Sequence, residues 1–172
     1  MATLVTGGSG FIGGVLIREL LDRGRTVRVL VHRDAGPFAE LPVECVQGDI
    51  RDPHSLDLAM EGVDRVFHLA SLISLAGDLG GRVTGTNVDG AENVARAALR
   101  AGVSRFMHFS SIHAFDIDTH GEPVTEQTRL ATANSRSAYN LSKARGQLEI
   151  LKVVERGLDA VIVHPCGVIG PY

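Results

Sequence analysis

Three residues in the second half of this 172-residue chain have the types and spacing for proton transfer. Tyr139 and Lys143 stand four apart in Ser137-Ala138-Tyr139-Asn140-Leu141-Ser142-Lys143, so a helix puts both on one face. A phenol near its ordinary pKa of about 10 is a poor acid or base at neutral pH. A neighbouring ammonium favours the phenolate and lowers that value. Tyr139 could then pass a proton to or from a substrate oxygen while hydride moves at the adjacent carbon. Lys143 could also hold a ribose. Ser111, in Phe109-Ser110-Ser111, is the candidate hydroxyl to orient a carbonyl, although serines equally serve as turns at strand ends. By itself, Tyr-x-x-x-Lys arises by chance on many helices.

A second constellation lies near the N-terminus. Gly7-Gly8-Ser9-Gly10-Phe11-Ile12-Gly13 spaces three glycines as Gly-x-x-Gly-x-x-Gly between a short apolar run and an amphipathic stretch. Gly7 permits a tight turn, Gly10 lets the backbone approach a pyrophosphate, and Gly13 lets the helix pack closely on its strand. The following helix N-terminus offers free N–H groups and the positive end of its dipole. The next strand ends Leu30-Val31-His32-Arg33. An acidic residue there would grip a ribose 2′-hydroxyl and favour NAD. The basic His32 and Arg33 suit a 2′-phosphate and favour NADP. Arg33 could equally be a solvated loop cation. Asp49 and Ile50 follow the third strand, where Asp49 could accept from an adenine amino group and Ile50 pack on the ring. A turn Asp followed by a core Ile fits them as well.

These groups need a frame to bring them together. Apolar runs at Leu4–Val5, Val27–Val31, Val43–Val46, Val63–Leu69, Arg105–Phe109 and Ala160–Val163 read as six strands. Amphipathic stretches at Phe11–Arg23, Asp52–Met60, Val83–Arg100 and Ser137–Arg156 read as helices between them. Ser71–Gly81 and Asp116–Asn134 read as loops, the second long enough to suggest a functional role. Regular alternation of strand and helix predicts parallel βαβ units with right-handed crossovers. The strands are apolar throughout, as a sheet covered on both faces requires. The expected fold class is therefore α/β, a Rossmann-type doubly wound parallel sheet with helices on both faces, forming one dinucleotide-binding domain over residues 1–172.

Composition fits that frame. Hydrophobic residues make up 44% and charged residues 22%, which excludes a disordered or fibrous chain. Seventeen Lys and Arg against twenty Asp and Glu give a formal net charge of −3, which argues against nucleic acid or an anionic membrane as the main partner. No run reaches the roughly 18 apolar residues of a membrane span, and no secretory signal is evident at the N-terminus. Cys45 and Cys166 could form one disulfide, but two lone thiols without metal-ligand spacing read better as reduced and cytoplasmic. His68 reads as a satisfied core residue. His108, His113 and His164 show no metal spacing, so no metal site is expected.

Seven segments in order carry a family resemblance. They are Thr6–Gly13, Gly48–Asp52, Val66–Ala70, Asn87–Val94, Phe109–Ser111, Tyr139–Lys143 and Pro165–Pro171. The chain resembles the extended short-chain dehydrogenase/reductases, also called the NAD-dependent epimerase/dehydratase family. Its second strand is similar to the dihydroflavonol-reductase and 3β-hydroxysteroid-dehydrogenase-like branches. The resemblance implies a Ser–Tyr–Lys triad at Ser111, Tyr139 and Lys143, with Asn87 positioning the active-site region. It implies cofactor contacts from Phe11 and Ile12 beside the glycines, from Leu69, Ala70 and Ser71, and from Pro165, Gly167 and Val168, as well as from Tyr139 and Lys143. His164 stands where an Arg commonly precedes the Pro. Family members are markedly longer, with their substrate-binding part largely after the Gly-Pro motif. The chain thus reads as the cofactor half of an extended enzyme, either a fragment or a natural short form.

The expected function is an NADP-preferring oxidoreductase acting on a carbonyl or secondary alcohol of a small-molecule substrate, with the 71–81 loop touching that substrate. A nucleotide-sugar epimerase or dehydratase with tightly held NAD is the alternative within the family. A dinucleotide-sensing module without turnover is the alternative from another class. The resemblance also implies a homodimer through the two long helices, although the chain's own loops can equally cover those faces.

Overall fold

The computed structural model describes residues 1–118, 121–132 and 137–170. Pro171 and Tyr172, the end of the last matching segment, lie outside them, as do residues 119–120 and 133–134 of the long loop.

Six strands form one sheet: β1 (Ala2–Thr6), β2 (Val27–Val31), β3 (Glu44–Gln47), β4 (Val63–His68), β5 (Arg105–Phe109) and β6 (Ala160–Val163). Their order is β3-β2-β1-β4-β5-β6, and every neighbouring pair is parallel. Parallel neighbours require a crossover between them. Helices α1 (Phe11–Asp22), α2 (Pro53–Met60), α4 (Gly90–Ala101) and α5 (Ala138–Val154) supply four of these, with a short α3 (Arg82–Thr84) leading into α4. This is the Rossmann-type doubly wound arrangement, with the reversal of strand order between β1 and β4.

Alternation along the strands sends side chains to two cores. Val5, Val27, Val29 and Val31 face one side and pack with Ile17 and Leu20 of α1. Leu4, Leu30, Val66 and Phe106 face the other and pack with Leu56 of α2, Val94 and Ala98 of α4, and Ile150 and Val153 of α5. Each helix is also stopped and started locally. Asp52 accepts from the His54 N–H at 3.0 Å to cap α2, with Pro53 in its first turn. Gly102 adopts φ +66 to close α4, a backbone region where only glycine is free of Cβ strain.

Strand and helix bounds fall within one or two residues of expectation, with two differences of substance. The stretch expected as one helix over 83–100 contains a π-helical turn, Gly85–Asp89. Such turns are single insertions that re-aim a side chain. Here the side chain is Asn87, whose amide bonds both the N–H and the C=O of Leu72, at 2.8 and 2.9 Å. The second difference is that the 116–134 stretch, expected as loop, carries an isolated antiparallel β-bridge. Phe115 bridges Leu130, the Asp116 N–H bonds the Arg129 carbonyl, and the Ala131 N–H bonds the Ala114 carbonyl. Cys45 and Cys166 are both free and exposed. Among the described residues no helix is long and apolar enough to cross a membrane, and no His, Cys, Asp and Glu group could hold a metal ion.

Candidate active site

A cleft of about 710 Å³ opens at the carboxyl ends of β1, β2 and β4, where open α/β sheets bind their ligands. Its floor is the glycine loop. Gly7 has φ +73, and a Cβ there would sit 2.5 Å from the Ala70 backbone nitrogen. At Gly13 a Cβ would strike the Gly7 carbonyl. At Gly10 it would meet only the Gly7 oxygen, at 3.2 Å, so the space above Gly10 is open cleft. The loop is thus packed tight below and bare above, which fits a group pressed against main-chain N–H donors. The residues present fit a dinucleotide.

At one end of the cleft stand His32, Arg33, Asp49, Ile50 and Arg51. The Asp49 carboxylate is held on several sides. Arg51 donates to it from Nε at 3.0 Å and from its backbone N–H at 2.9 Å. His32 Nε2 lies 3.2 Å away. The Arg51 hydrogen bond holds the Asp49 carboxyl below its usual range, against a burial effect of opposite sign. Its oxygens accept from Arg51 and face His32, and Asp49 lines the cleft. Ile50 is buried and its side chain packs against Gly90. Arg33 lines the cleft and makes no ion pair or side-chain hydrogen bond among the described residues.

Beyond the cleft's lining α5 and β5 meet. Tyr139, Lys143 and Gln147 follow at four-residue spacing on one face of α5. The Ser111 hydroxyl accepts from the His113 N–H at 3.2 Å and lies close enough to the Tyr139 phenol to act on its proton affinity. Lys143 is 5% exposed. Its Nζ donates to the Phe109 carbonyl at 3.0 Å and lies 5.9 Å from the centre of the Tyr139 ring. Burial lowers the Lys143 amine to a pKa of about 8. The phenol behaves differently from expectation. Burial raises the Tyr139 pKa, and the opposing influence is the Ser111 hydrogen bond rather than the lysine charge. At 5.9 Å and already turned to a carbonyl, the ammonium is too weakly placed to reverse the cost of burying a phenolate.

The family model described as "NAD dependent epimerase/dehydratase family" matches residues 3–172. The chain belongs to that family. Sterol demethylase protein B of Methylococcus capsulatus is 36% identical over 174 residues, covering 100% of this chain and 53% of that protein. A putative dihydroflavonol 4-reductase of Synechocystis is 35% identical, covering 98% of this chain and 49% of that one. Among solved structures, DesIV of Streptomyces venezuelae, a dTDP-glucose 4,6-dehydratase with NAD and TYD bound, is 32% identical with a TM-score of 0.86, covering 100% of this chain and 57% of that one. The chain spans about half the length of the curated relatives it matches.

In this epimerase/dehydratase chain the expected residues do not all share one wall. Gly7, Gly10, His32, Arg33, Asp49, Ile50, Leu69, Ala70 and Ser71 line the cleft. Phe11 lines instead a second cavity of about 280 Å³ behind the glycine loop, and its ring packs on Gly170. Ile12 and Gly13 lie within the first turns of α1 and do not line the main cleft. Tyr139 and Lys143 stand outside the cleft's lining, as do Pro165, Gly167 and Val168. Val168 is about half exposed, and Gly167 has nothing within 4 Å of its Cβ position. Asn87 joins the pieces. Besides Leu72 it reaches Ser71 Oγ at 3.1 Å and Ser142 Oγ at 2.9 Å, so it ties the 71–81 loop to the helix turn that carries Lys143.

Three residues that bear on the site were missed from sequence. Gln147 accepts from Ser110 Oγ at 3.0 Å and pairs with His164 Nε2 at 2.7 Å. Its place eight residues after Tyr139 on the same helix face was the available signal. Arg51, two residues after Asp49, carried none. His108 shows no metal spacing in the sequence, and the fold makes it the strand neighbour of His68.

Proposed function

We propose that this chain is the dinucleotide-binding half of an NADP-preferring oxidoreductase that interconverts a carbonyl and a secondary alcohol on a small molecule. The observation that carries the reading is the convergence of Ser111, Tyr139 and Lys143 at the carboxyl edge of the sheet, beside a glycine-floored cleft. A nicotinamide dinucleotide, when bound, supplies or takes up the hydride. Main-chain N–H groups at the start of α1 receive its diphosphate through Gly7 and Gly10, and Ala70 and Ser71 close the opposite wall. Ser111 orients the substrate oxygen. Tyr139 gives or receives the proton at that oxygen, and Lys143 supports the charge that appears on the phenol.

The preference for NADP rests on the unpaired Arg33 in the cleft wall. Titration with NADPH and NADH, followed by nucleotide fluorescence, tests it. Binding of NADPH at least about tenfold tighter than NADH is expected, corresponding to about 1.4 kcal/mol. Equal affinities would remove Arg33 from the account. Steady-state turnover with a panel of ketones should be weaker than that of a longer chain, because relatives are about twice this length. The second reading, an epimerase or dehydratase with retained NAD, draws support from the NAD-bound dehydratase among its structural relatives. Release of NAD from the purified protein would favour it.

A further inference from the structure

Beneath the reaction end lies a buried polar layer that the proton chemistry above leaves unused. Thr6, His68 and His108 are neighbours in register across β1, β4 and β5. None is more than 3% exposed. His68 Nδ1 is 2.7 Å from Thr6 Oγ1, which also accepts from the Ala70 N–H at 3.3 Å. The two imidazoles stack with centroids 5.3 Å apart and planes 23° from parallel. Two of their ring nitrogens, His68 Nε2 and His108 Nδ1, are buried without a hydrogen-bond partner. Leaving such atoms unsatisfied costs about 1–3 kcal/mol each. Lys143 descends into the same layer from α5. An ammonium carries three N–H donors, and the one bond it makes among the described residues is to the Phe109 carbonyl. Its charge acts on both rings. Spare donors and spare acceptors therefore occupy one buried layer.

We propose that the stacked pair His68–His108 is an acceptor site for the Lys143 ammonium. The two free ring nitrogens take, directly or through one bound water, the N–H groups that the Phe109 carbonyl leaves over, and so hold the amine beneath Tyr139. Both histidines are positioning residues, and their role rests on the reading of Lys143 as the partner of Tyr139. The arrangement requires two neutral rings in defined tautomers. His68 carries its proton on Nδ1 and donates it to Thr6 Oγ1. His108 carries its proton on Nε2. Burial disfavours the charged form of both, and the Lys143 charge adds to that effect. The other titratable groups around the layer are Tyr139 on α5 and His164 after β6. His164 is itself held down by burial against the pull of Glu126.

The chain has only two lysines, Lys143 and Lys152. A lysine ¹³Cε spectrum therefore reads the Lys143 midpoint directly. Lys152, exposed and paired with Glu149, serves as the internal reference. In His108→Phe the Lys143 midpoint should fall by about one pH unit, a tenfold loss of proton affinity, while Lys152 stays fixed. His108→Asn keeps an acceptor and should recover at least half of that change. In the unmodified protein, imidazole ¹⁵N spectra should show the His68 proton on Nδ1 and neither ring titrating between pH 5 and 8. An unmoved Lys143 midpoint in folded His108→Phe, or a His68 proton on Nε2, overturns the proposal. If His108→Phe does not fold, the His68 tautomer decides alone. None of these readouts needs cofactor or turnover, so failure here and failure of the oxidoreductase reading are distinguishable.

Discussion

The cleft and the β5–α5 junction beside it use charge in opposite ways. At the cleft wall built by β2 and β3, His32, Arg33, Asp49 and Arg51 meet water, and His32 and Arg51 pair with Asp49 at the surface. At the β5–α5 junction, Lys143, Ser110, Ser111, His68 and His108 are each at most 7% exposed. Exposed ion pairs contribute little and are screened by salt. Buried polar groups are costly unless matched, and they shift proton affinities strongly. The first can therefore change its ligand preference with little effect on the fold. The second cannot change its chemistry without disturbing the core that holds it.

The sharpest way to break this contrast is at the phenol. Tyr139→Phe removes one oxygen from a half-buried ring and leaves the glycine loop untouched. Turnover of a suitable ketone should fall about 10²–10⁴-fold, while NADPH affinity stays within about threefold. A large loss of affinity would mean that the tyrosine serves binding rather than proton transfer. The next effect is on stability. His68 is held neutral down to a pKa of about 3, and His108 well below its ordinary value, chiefly by burial. Unfolded, both protonate near 6.5. The unfolded state thus binds more protons below that pH, so the stability these residues contribute is complete above about 6.5 and is lost as pH falls. Below pH 6.5 each therefore lowers stability as pH falls, by at most about 1.4 kcal/mol per pH unit. Urea denaturation across that range measures it, and His108→Phe should remove about half of the slope. A flat profile would mean that the rings are solvated or already charged.

The contrast also explains what could be read in the sequence. The glycine loop, the six strands and the Tyr139–Lys143 spacing are local patterns, and each appears within two residues of its expected place. The chemistry of those groups was less legible, because it depends on neighbours distant in the chain. Burial of Tyr139 outweighs the lysine beside it, and nothing in a four-residue spacing reports burial. His68 and His108 are forty residues apart and meet only through the register of β4 with β5. The π-helical turn at Asn87 arises because its side chain reaches Leu72 and Ser142, contacts that helical periodicity does not encode. At the exposed end the difficulty was different. Asp49 has the residue type and position for adenine, and only the fold reveals that Arg51 also bonds its oxygens.

The remaining predictions probe that exposed end. Arg33→Ala should weaken NADPH about tenfold and leave NADH unchanged, because a 2′-phosphate loses a charge-assisted partner that a 2′-hydroxyl never had. The difference should shrink as salt rises from 50 to 500 mM, since the contact is solvent-exposed. Asp49→Asn is the smallest effect and the most discriminating. If Asp49 accepts from the adenine, its loss weakens both coenzymes alike. If its role is to occupy Arg51, its loss frees that guanidinium in the cleft wall and removes a negative charge beside it. NADPH should then bind about two- to threefold tighter, NADH should hold constant, and the gain should vanish at high salt. The pH dependence has a definite sign. The Asp49 pKa is depressed by Arg51, so the carboxylate is present above the ordinary range near 3.9 and is lost only as pH falls through its lower folded value. The substitution should therefore act equally at every pH from about 5 upward. An effect that changed with pH above 5 would locate the responsible group elsewhere than at Asp49.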